Sequence, residues 1–385
     1  MADYDVTLEG SALEYDTVEA EFPQSIKIDS THTLVTWQGS GNDGFVQVME
    51  RNDTTEAVTA KGSKLEHDTG IQYLSSIQQI DSNHFALFYV GNDVYVQTIE
   101  VNLTTWAVSE VWTRLTIENS QSVYMSGCKI DTDTFVVAYK KGTDLDGYIQ
   151  VVTVDTWTWT YTAEGTALKI QTGTFLNSSV VAIDTTHVMV AWYDWGTTNG
   201  YMRAFAIDGS YNVTTAGSEF TYESTSWGGN YPTLTKVDDT TFICFWQRSS
   251  TDGRCQIFTI DGSYTITAED SAFQTEWTNY TAVGGDRSSV LVDSTHALMA
   301  YATTTSAGVI QTYEWNWSYE MSEAGTGETI SERFYRPSVT EMEEGKYMVF
   351  WMDSDKDWKV QMLTVEIPAE WWGSEAPAIF FWCNF

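Results

Sequence analysis

Ile28-Asp29-Ser30-Thr31-His32-Thr33-Leu34-Val35-Thr36-Trp37 is the stretch on which the fold turns, because its pattern returns six more times along the chain. An acid follows an apolar residue, a short turn intervenes, and an apolar run ends on an aromatic ring. The acids are Asp29, Asp81, Asp131, Asp184, Asp238, Asp293 and Glu343; eight residues after each stands Trp37, Tyr89, Tyr139, Trp192, Trp246, Tyr301 or Trp351. Successive acids lie 52, 50, 53, 54, 55 and 50 residues apart. A period of that size marks a propeller or solenoid, in which each unit buries its apolar faces against the next.

Each repeat reads as four strands. The first ends at the acid, as in Ser25-Ile26-Lys27-Ile28. The second, Leu34-Val35-Thr36-Trp37 or Phe135-Val136-Val137-Ala138-Tyr139, is apolar on both faces and so needs cover on both sides. Asn42-Asp43-Gly44, Asp146-Gly147, Asn199-Gly200 and Asp252-Gly253 then predict tight hairpin turns. The third strand is Phe45-Val46-Gln47-Val48 in the first repeat. The fourth is a Thr-rich polar alternation such as Tyr211-Asn212-Val213-Thr214-Thr215, suited to an outer edge.

The ends of the chain decide between an open array and a closed ring. After Trp358-Lys359-Val360-Gln361-Met362-Leu363-Thr364-Val365 the last repeat has no Thr-rich fourth strand. Its counterpart stands at the other end, where Tyr4-Asp5-Val6-Thr7-Leu8-Glu9-Gly10-Ser11 matches Tyr211-Asn212-Val213-Thr214-Thr215-Ala216-Gly217-Ser218. Residues 4–15 are therefore expected to form the outer strand of the last blade, which leaves no open sheet edge at the seam. The expected fold is all-β: a seven-bladed β-propeller of four-stranded antiparallel blades over residues 1–366, followed by an aromatic tail over 367–385.

This repeat, an Asp-x-Thr-x-x-Val-x-x-Tyr style with strand-exchange closure, resembles propellers of bacterial, archaeal and phage surface or virion proteins over about residues 4–366. It has no WD40 Trp-Asp signature, no kelch Gly-Gly pair and no sialidase-type Asp box. The resemblance implies a non-catalytic structural and binding module on a virion or cell surface, whose loop face recognises a glycan or surface protein. Carbohydrate-active enzyme (glycosidase or lyase, with acids at the central channel) and intracellular interaction scaffold are the alternatives.

Nineteen basic residues against 53 acidic ones give a net charge of −34, which repels phosphate backbones and argues against nucleic-acid binding. No apolar run is long enough for a membrane-spanning helix. Met1-Ala2-Asp3-Tyr4-Asp5 has neither a basic region nor an apolar core, so no Sec signal peptide is expected. With a composition rich in Thr, Trp, Tyr and Asn and poor in Lys, that points to a virion or extracellular surface protein. Four cysteines are too few for a disulfide framework. Cys255 is expected to pair near Ser250 rather than Cys244, leaving free thiols.

Candidate ligand contacts are aromatic. Phe22, Tyr73, Tyr124, Phe175, Tyr231 and Tyr335 mark the starts of the inner strands, and Trp227, Trp277 and Tyr280 sit in the incoming connections. Flat rings flanked by Asn, Asp and Thr suit sugar stacking; the bland reading is that they fill the wedge between blades. Asp353-Ser354-Asp355-Lys356-Asp357 carries the alternate carboxylates that open a calcium loop, although Trp358 and Thr364 stand where that loop needs Gly and Glu. Ca2+ through Asp353, Asp355 and Asp357 is the one cofactor this suggests. His32, His84, His187 and His296 recur three residues after the acid and read as turn caps. No G-x-S-x-G or H-E-x-x-H occurs, and no catalytic residue is assigned. In the tail, Trp371, Trp372, Phe380, Phe381, Trp382 and Phe385 are expected either to fold back on the ring or to dock on other virion or surface-layer subunits.

Overall fold

The computed structural model describes residues 3–17, 21–120, 124–225, 228–249, 252–276, 288–303, 307–330, 334–353 and 355–368. Among them, 28 strands form seven antiparallel four-stranded sheets. Blade one is β2 (Glu21–Lys27), β3 (His32–Gln38), β4 (Gly44–Arg51) and β5 (Val58–Asp68), and blades two to six repeat that order through β25 (Met321–Ile330). Blade seven is β26 (Tyr335–Glu343), β27 (Lys346–Met352) and β28 (Trp358–Val365), completed by β1 (Val6–Asp16) from the start of the chain. Its register runs from Val6 opposite Val365 to Asp16 opposite Trp358. The ring closes as the sequence predicts.

The second strands are buried on both faces; every residue of β3, of β11 (Thr134–Lys140) and of β23 (His296–Ala302) is enclosed. Seven apolar clusters result, each shared by two neighbouring blades. Val35 and Trp37, for example, pack with Phe350 and Trp358, while Leu34 and Val46 pack with Phe85 and Tyr89 on the other side. The strand-end rings Trp37, Tyr89, Tyr139, Trp192, Trp246, Tyr301 and Trp351 are at most 3% exposed, so they are wedge fillers and not ligand platforms. Truncating one such Trp costs about 3–5 kcal/mol.

The second-to-third-strand hairpin and the start of the first strand define an upper face; the acid turn and the third-to-fourth-strand hairpin define the lower one. On the lower face the repeated acid caps its turn. Asp29 Oδ1 accepts the N–H groups of Thr31 and His32, both at 2.8 Å, and Asp293 Oδ1 accepts that of Thr295 at 2.7 Å. Burial pushes the Asp29 carboxyl up, but the Thr31 amide and His32 outweigh it and hold the pKa below the usual range.

The histidines do more than cap. Each Nδ1 lies 2.9–3.0 Å from its aspartate, and each ring stacks on an aromatic of the next blade's outer turn. The pairs are His32–Trp106, His84–Trp159, His187–Tyr264 and His296–Tyr4, with centroids 3.5–4.1 Å apart. Those partners all have positive φ, and so do Glu56, Tyr211 and Tyr319 at the same place in the remaining blades. In five of the seven, namely Tyr4, Glu56, Trp106, Tyr211 and Tyr264, that backbone faces a positive-φ glycine of the preceding outer strand. At Gly217 (φ +68°) a Cβ would strike the Tyr264 carbonyl, so glycine is required there by close approach as well as by φ. At the seam between blades seven and one an ion cluster takes over this joint. Arg51 is held between Glu56 and Glu343, and Lys346 Nζ lies 2.9 Å from Glu56.

Two sequence expectations change. Gly44, Gly147, Gly200 and Asp252-Gly253 open the third strands and are not the turns. Glycine is needed at Gly147 and Gly200 because a Cβ would run into the rings of Phe175 and Tyr222. With Ser249 opposite Asp252, the fifth-blade turn falls earlier and Cys255 pairs with Phe245 instead of near Ser250. Cys244 packs toward blade four and Cys255 toward blade six, so the two thiols stay apart and free.

Candidate functional site

In blades one, four, five and seven the upper end of the inner strand carries a register break that re-aims one side chain. Pairing skips between Glu21 and Gln24, Leu176 and Ser178, Asn230 and Thr233, and Tyr335 and Ser338. Inside those gaps Phe22 (φ 61°), Asn177 (37°), Tyr231 (50°) and Arg336 (47°) have left-handed backbone. A bulge of this kind turns a residue out of the pleat and often sits beside a functional site. Pro23, Pro232 and Pro337 follow three of them, where a missing N–H costs no ladder bond. All four stand seven residues before the repeated acid, a position filled in blades two and three by Leu74 and Tyr124.

Two contacts among these strand ends join neighbouring blades. The Arg336 guanidinium lies 3.5 Å from the centroid of Phe22, joining blades seven and one. Asn177 Nδ2 donates to Asn230 Oδ1 at 2.6 Å, joining blades four and five. Burial raises the Tyr124 phenol pKa, with Tyr231 raising it further and Arg336 lowering it. Those three groups belong to blades three, five and seven, which are not neighbours. Lys140, at the end of β11, adds an ammonium 5.5 Å from the Tyr124 ring centroid.

Below the mouth runs a belt of small hydroxyl side chains. Ser25 Oγ bonds Ser338 Oγ at 2.8 Å and Thr340 Oγ1 at 2.6 Å; Ser76 Oγ donates to the Gly127 carbonyl at 3.0 Å; Ser126 bonds Ser178 at 2.9 Å; Thr233 bonds Ser288 at 3.2 Å. Each joins one inner strand to the next, so these buried hydroxyls stitch the ring and are not poised beside a base. Further down, Lys129 and Lys236 donate to the Ile80 and Ile183 carbonyls of the preceding blades, at 2.9 and 2.6 Å.

The sequence-derived candidates divide accordingly. Tyr124 and Tyr231 reach the mouth. Tyr73 and Tyr335 stand one residue too early and pack into the interblade clusters beside Phe135 and Phe350 respectively. Phe175, two residues early, is fully buried with its ring 6.4 Å from Trp192. Searching for aromatics misaligned part of the set; counting back from the acid keeps Phe22, Tyr124 and Tyr231 and brings out Asn177 and Arg336 in place of Phe175 and Tyr335. Trp227, Trp277 and Tyr280 lie outside the described residues, as do Trp371, Trp372, Phe380, Phe381, Trp382 and Phe385.

Contacts of its own carboxylate Asp353 organise the hairpin that carries Asp353, Asp355 and Asp357. Asp353 Oδ1 accepts the amides of Asp355 and Asp357 at 2.9 and 3.0 Å, and its Oδ2 lies 3.3 Å from Lys359 Nζ. Among the described residues no three His, Cys, Asp or Glu side chains are gathered for a metal. Among the described residues no helix is long and apolar enough to cross a membrane. Sequence reasoning also passed over Trp157 and Trp317, 93% and 92% exposed at lower-face turn tips.

No family model and no curated protein sequence matches this chain. Among solved structures it is similar to the crystal structure of a protein from Lactobacillus plantarum, with a TM-score of 0.54 and 12% identity, covering 86% of this chain and 93% of that one. At that identity the likeness speaks to the fold alone.

Proposed function

We propose that this propeller is a non-catalytic recognition module, displayed on a virion or cell surface, that binds a glycan at its upper axial mouth. One observation carries the reading: bulged inner strands turn Phe22, Asn177, Tyr231 and Arg336 out of the pleat at the upper face, and Tyr124 fills the same place in blade three. Aromatic faces suit the C–H face of a sugar ring, and an amide beside them suits its hydroxyls. A rigid ring holds these groups with little ordering cost on binding. The tail beyond residue 368 is the segment we assign to docking on neighbouring subunits.

A glycan array with wild-type protein and Tyr231→Ala tests the reading. Binding without release of product, weakened about tenfold in the variant, is expected, which corresponds to about 1.4 kcal/mol. Released sugar would replace a binding module by an enzyme. Binding only to a surface protein would replace the glycan.

A further inference from the structure

Two tryptophans at the lower face are not used by the fold. Trp157 and Trp317 are 93% and 92% exposed, each at the tip of a hairpin between a third and a fourth strand. Both turns are locked without them. Asp155 Oδ1 accepts the amides of Trp157 and Thr158 at 2.8 and 3.2 Å, and Asn316 Oδ1 accepts those of Ser318 and Glu320 at 2.8 and 3.2 Å. Trp159, two residues on, stacks on His84 at 3.9 Å and takes up the interblade joint. Other blades build the same turn with Asp53, Gly209 or Gly262 where Trp317 stands, and with Thr54, Ser210 or Ser263 where Trp157 stands. A hydrated indole that the turn does not need is surface kept for a contact, and tryptophan leads the residues that anchor protein interfaces.

The surrounding charge says what kind of partner fits. Read between the strand ends, the thirteen lower-face turns hold twelve Asp or Glu and no Lys or Arg. Cations at the neighbouring strand ends are occupied, Arg51 and Lys346 by Glu56 and Glu343, and Lys236 by Asp239. The turn caps stay charged, because the backbone amides they accept hold Asp155, Asp208 and Asp261 below the usual carboxylate range. Such a surface repels nucleic acid and anionic lipid headgroups, and a neutral sugar would leave its charge unanswered. Guanidinium and ammonium groups answer both features, since they pair with carboxylates and lie over indole faces. Trp157 belongs to blade three and Trp317 to blade six, so a contact covering both spans the face. That breadth suits a macromolecule and not a small amine. We infer that the lower face docks a basic protein surface, its Arg and Lys side chains laid over Trp157 and Trp317 and among the turn carboxylates. The upper mouth stays free in this arrangement, and neither reading depends on the other.

Binding of an oligoarginine peptide at low salt tests the inference, with wild-type protein, Trp157→Ala, Trp317→Ala and the double variant. All four carry the same net charge, so general attraction to an acidic protein is equal among them. The double variant is expected to bind about tenfold more weakly. Asp155→Asn with Glu320→Gln should weaken binding too, the asparagine still capping its turn as Asn102 does. Asp43→Asn with Asp93→Asn on the upper face removes as much charge and should change affinity by less than about twofold. Thermal melts report that each variant folds. Equal affinity of wild type and double variant would show attraction by net charge alone and overturn the docking face. An equal loss from the upper-face pair does the same. Phosphatidylcholine vesicles or a neutral glycan bound through the two tryptophans, with no binding of the peptide, would overturn the basic partner and put that ligand in its place.

Discussion

His67 is the residue whose ionisation this fold resists most plainly. It is buried, its Nδ1 lies 3.1 Å from Gln97 Nε2, and its ring meets Tyr89 edge-on at 5.0 Å. Burial pushes its pKa down to about 4. An unfolded histidine takes up its proton near 6.5, so between about pH 6.5 and 4 the unfolded chain binds more protons and stability falls as the pH drops. The full effect is roughly 3 kcal/mol. His67→Gln should flatten the decline in melting temperature across that window; an unchanged slope would show that the ring takes its proton without cost. At this scale the sequence was legible where a residue type recurs. Trp37 and its counterparts announced themselves by spacing. Arg336 did not, because a left-handed φ leaves no fixed letter: the same place holds Phe22, Asn177 and Tyr231.

The decisive element is β1, and it was readable because its letters repeat those of an internal outer strand. Its sequence match with the stretch after Tyr211 predicted a partner nearly a chain-length away, and β28 is that partner. The strand brings more than its ladder. Tyr4 stacks on His296 at 3.5 Å, its hydroxyl donates to Asp293 at 2.8 Å, and Asp16 accepts the Trp37 indole N–H at 2.9 Å. Removing residues 1–16 exposes the edge of β28 and cuts blade seven loose from both neighbours, so the truncated protein should melt lower and self-associate. Adding a peptide of residues 3–16 in trans should restore the melting temperature. A truncated chain that stays monomeric and equally stable would show that the seam does not depend on the exchanged strand. The hairpin glycines were misread for a related reason: Gly147 is dictated by Phe175 of the next blade, a contact that no local turn rule contains.

For the whole molecule, the net charge of −34 opposes compactness, since like charges crowd one surface. Salt screens those exposed acids far more than it weakens enclosed pairs such as Arg51, whose side chain is 1% exposed between Glu56 and Glu343. The melting temperature should therefore rise by roughly 2–5 °C between 20 mM and 0.5 M NaCl, from about a kilocalorie or two of relieved repulsion. A fall would mean that the lower-face ion pairs outweigh the repulsion. The exchanged strand has one more consequence, and it lies in the order of manufacture. A ribosome makes β1 first and β28 last, with about 340 residues between them. At ordinary elongation rates the opening segment waits roughly 20–70 s for its mate. Throughout that interval a strand built to pair is left unattended, and a nascent propeller in a crowded polysome has ample opportunity to accept a neighbour's.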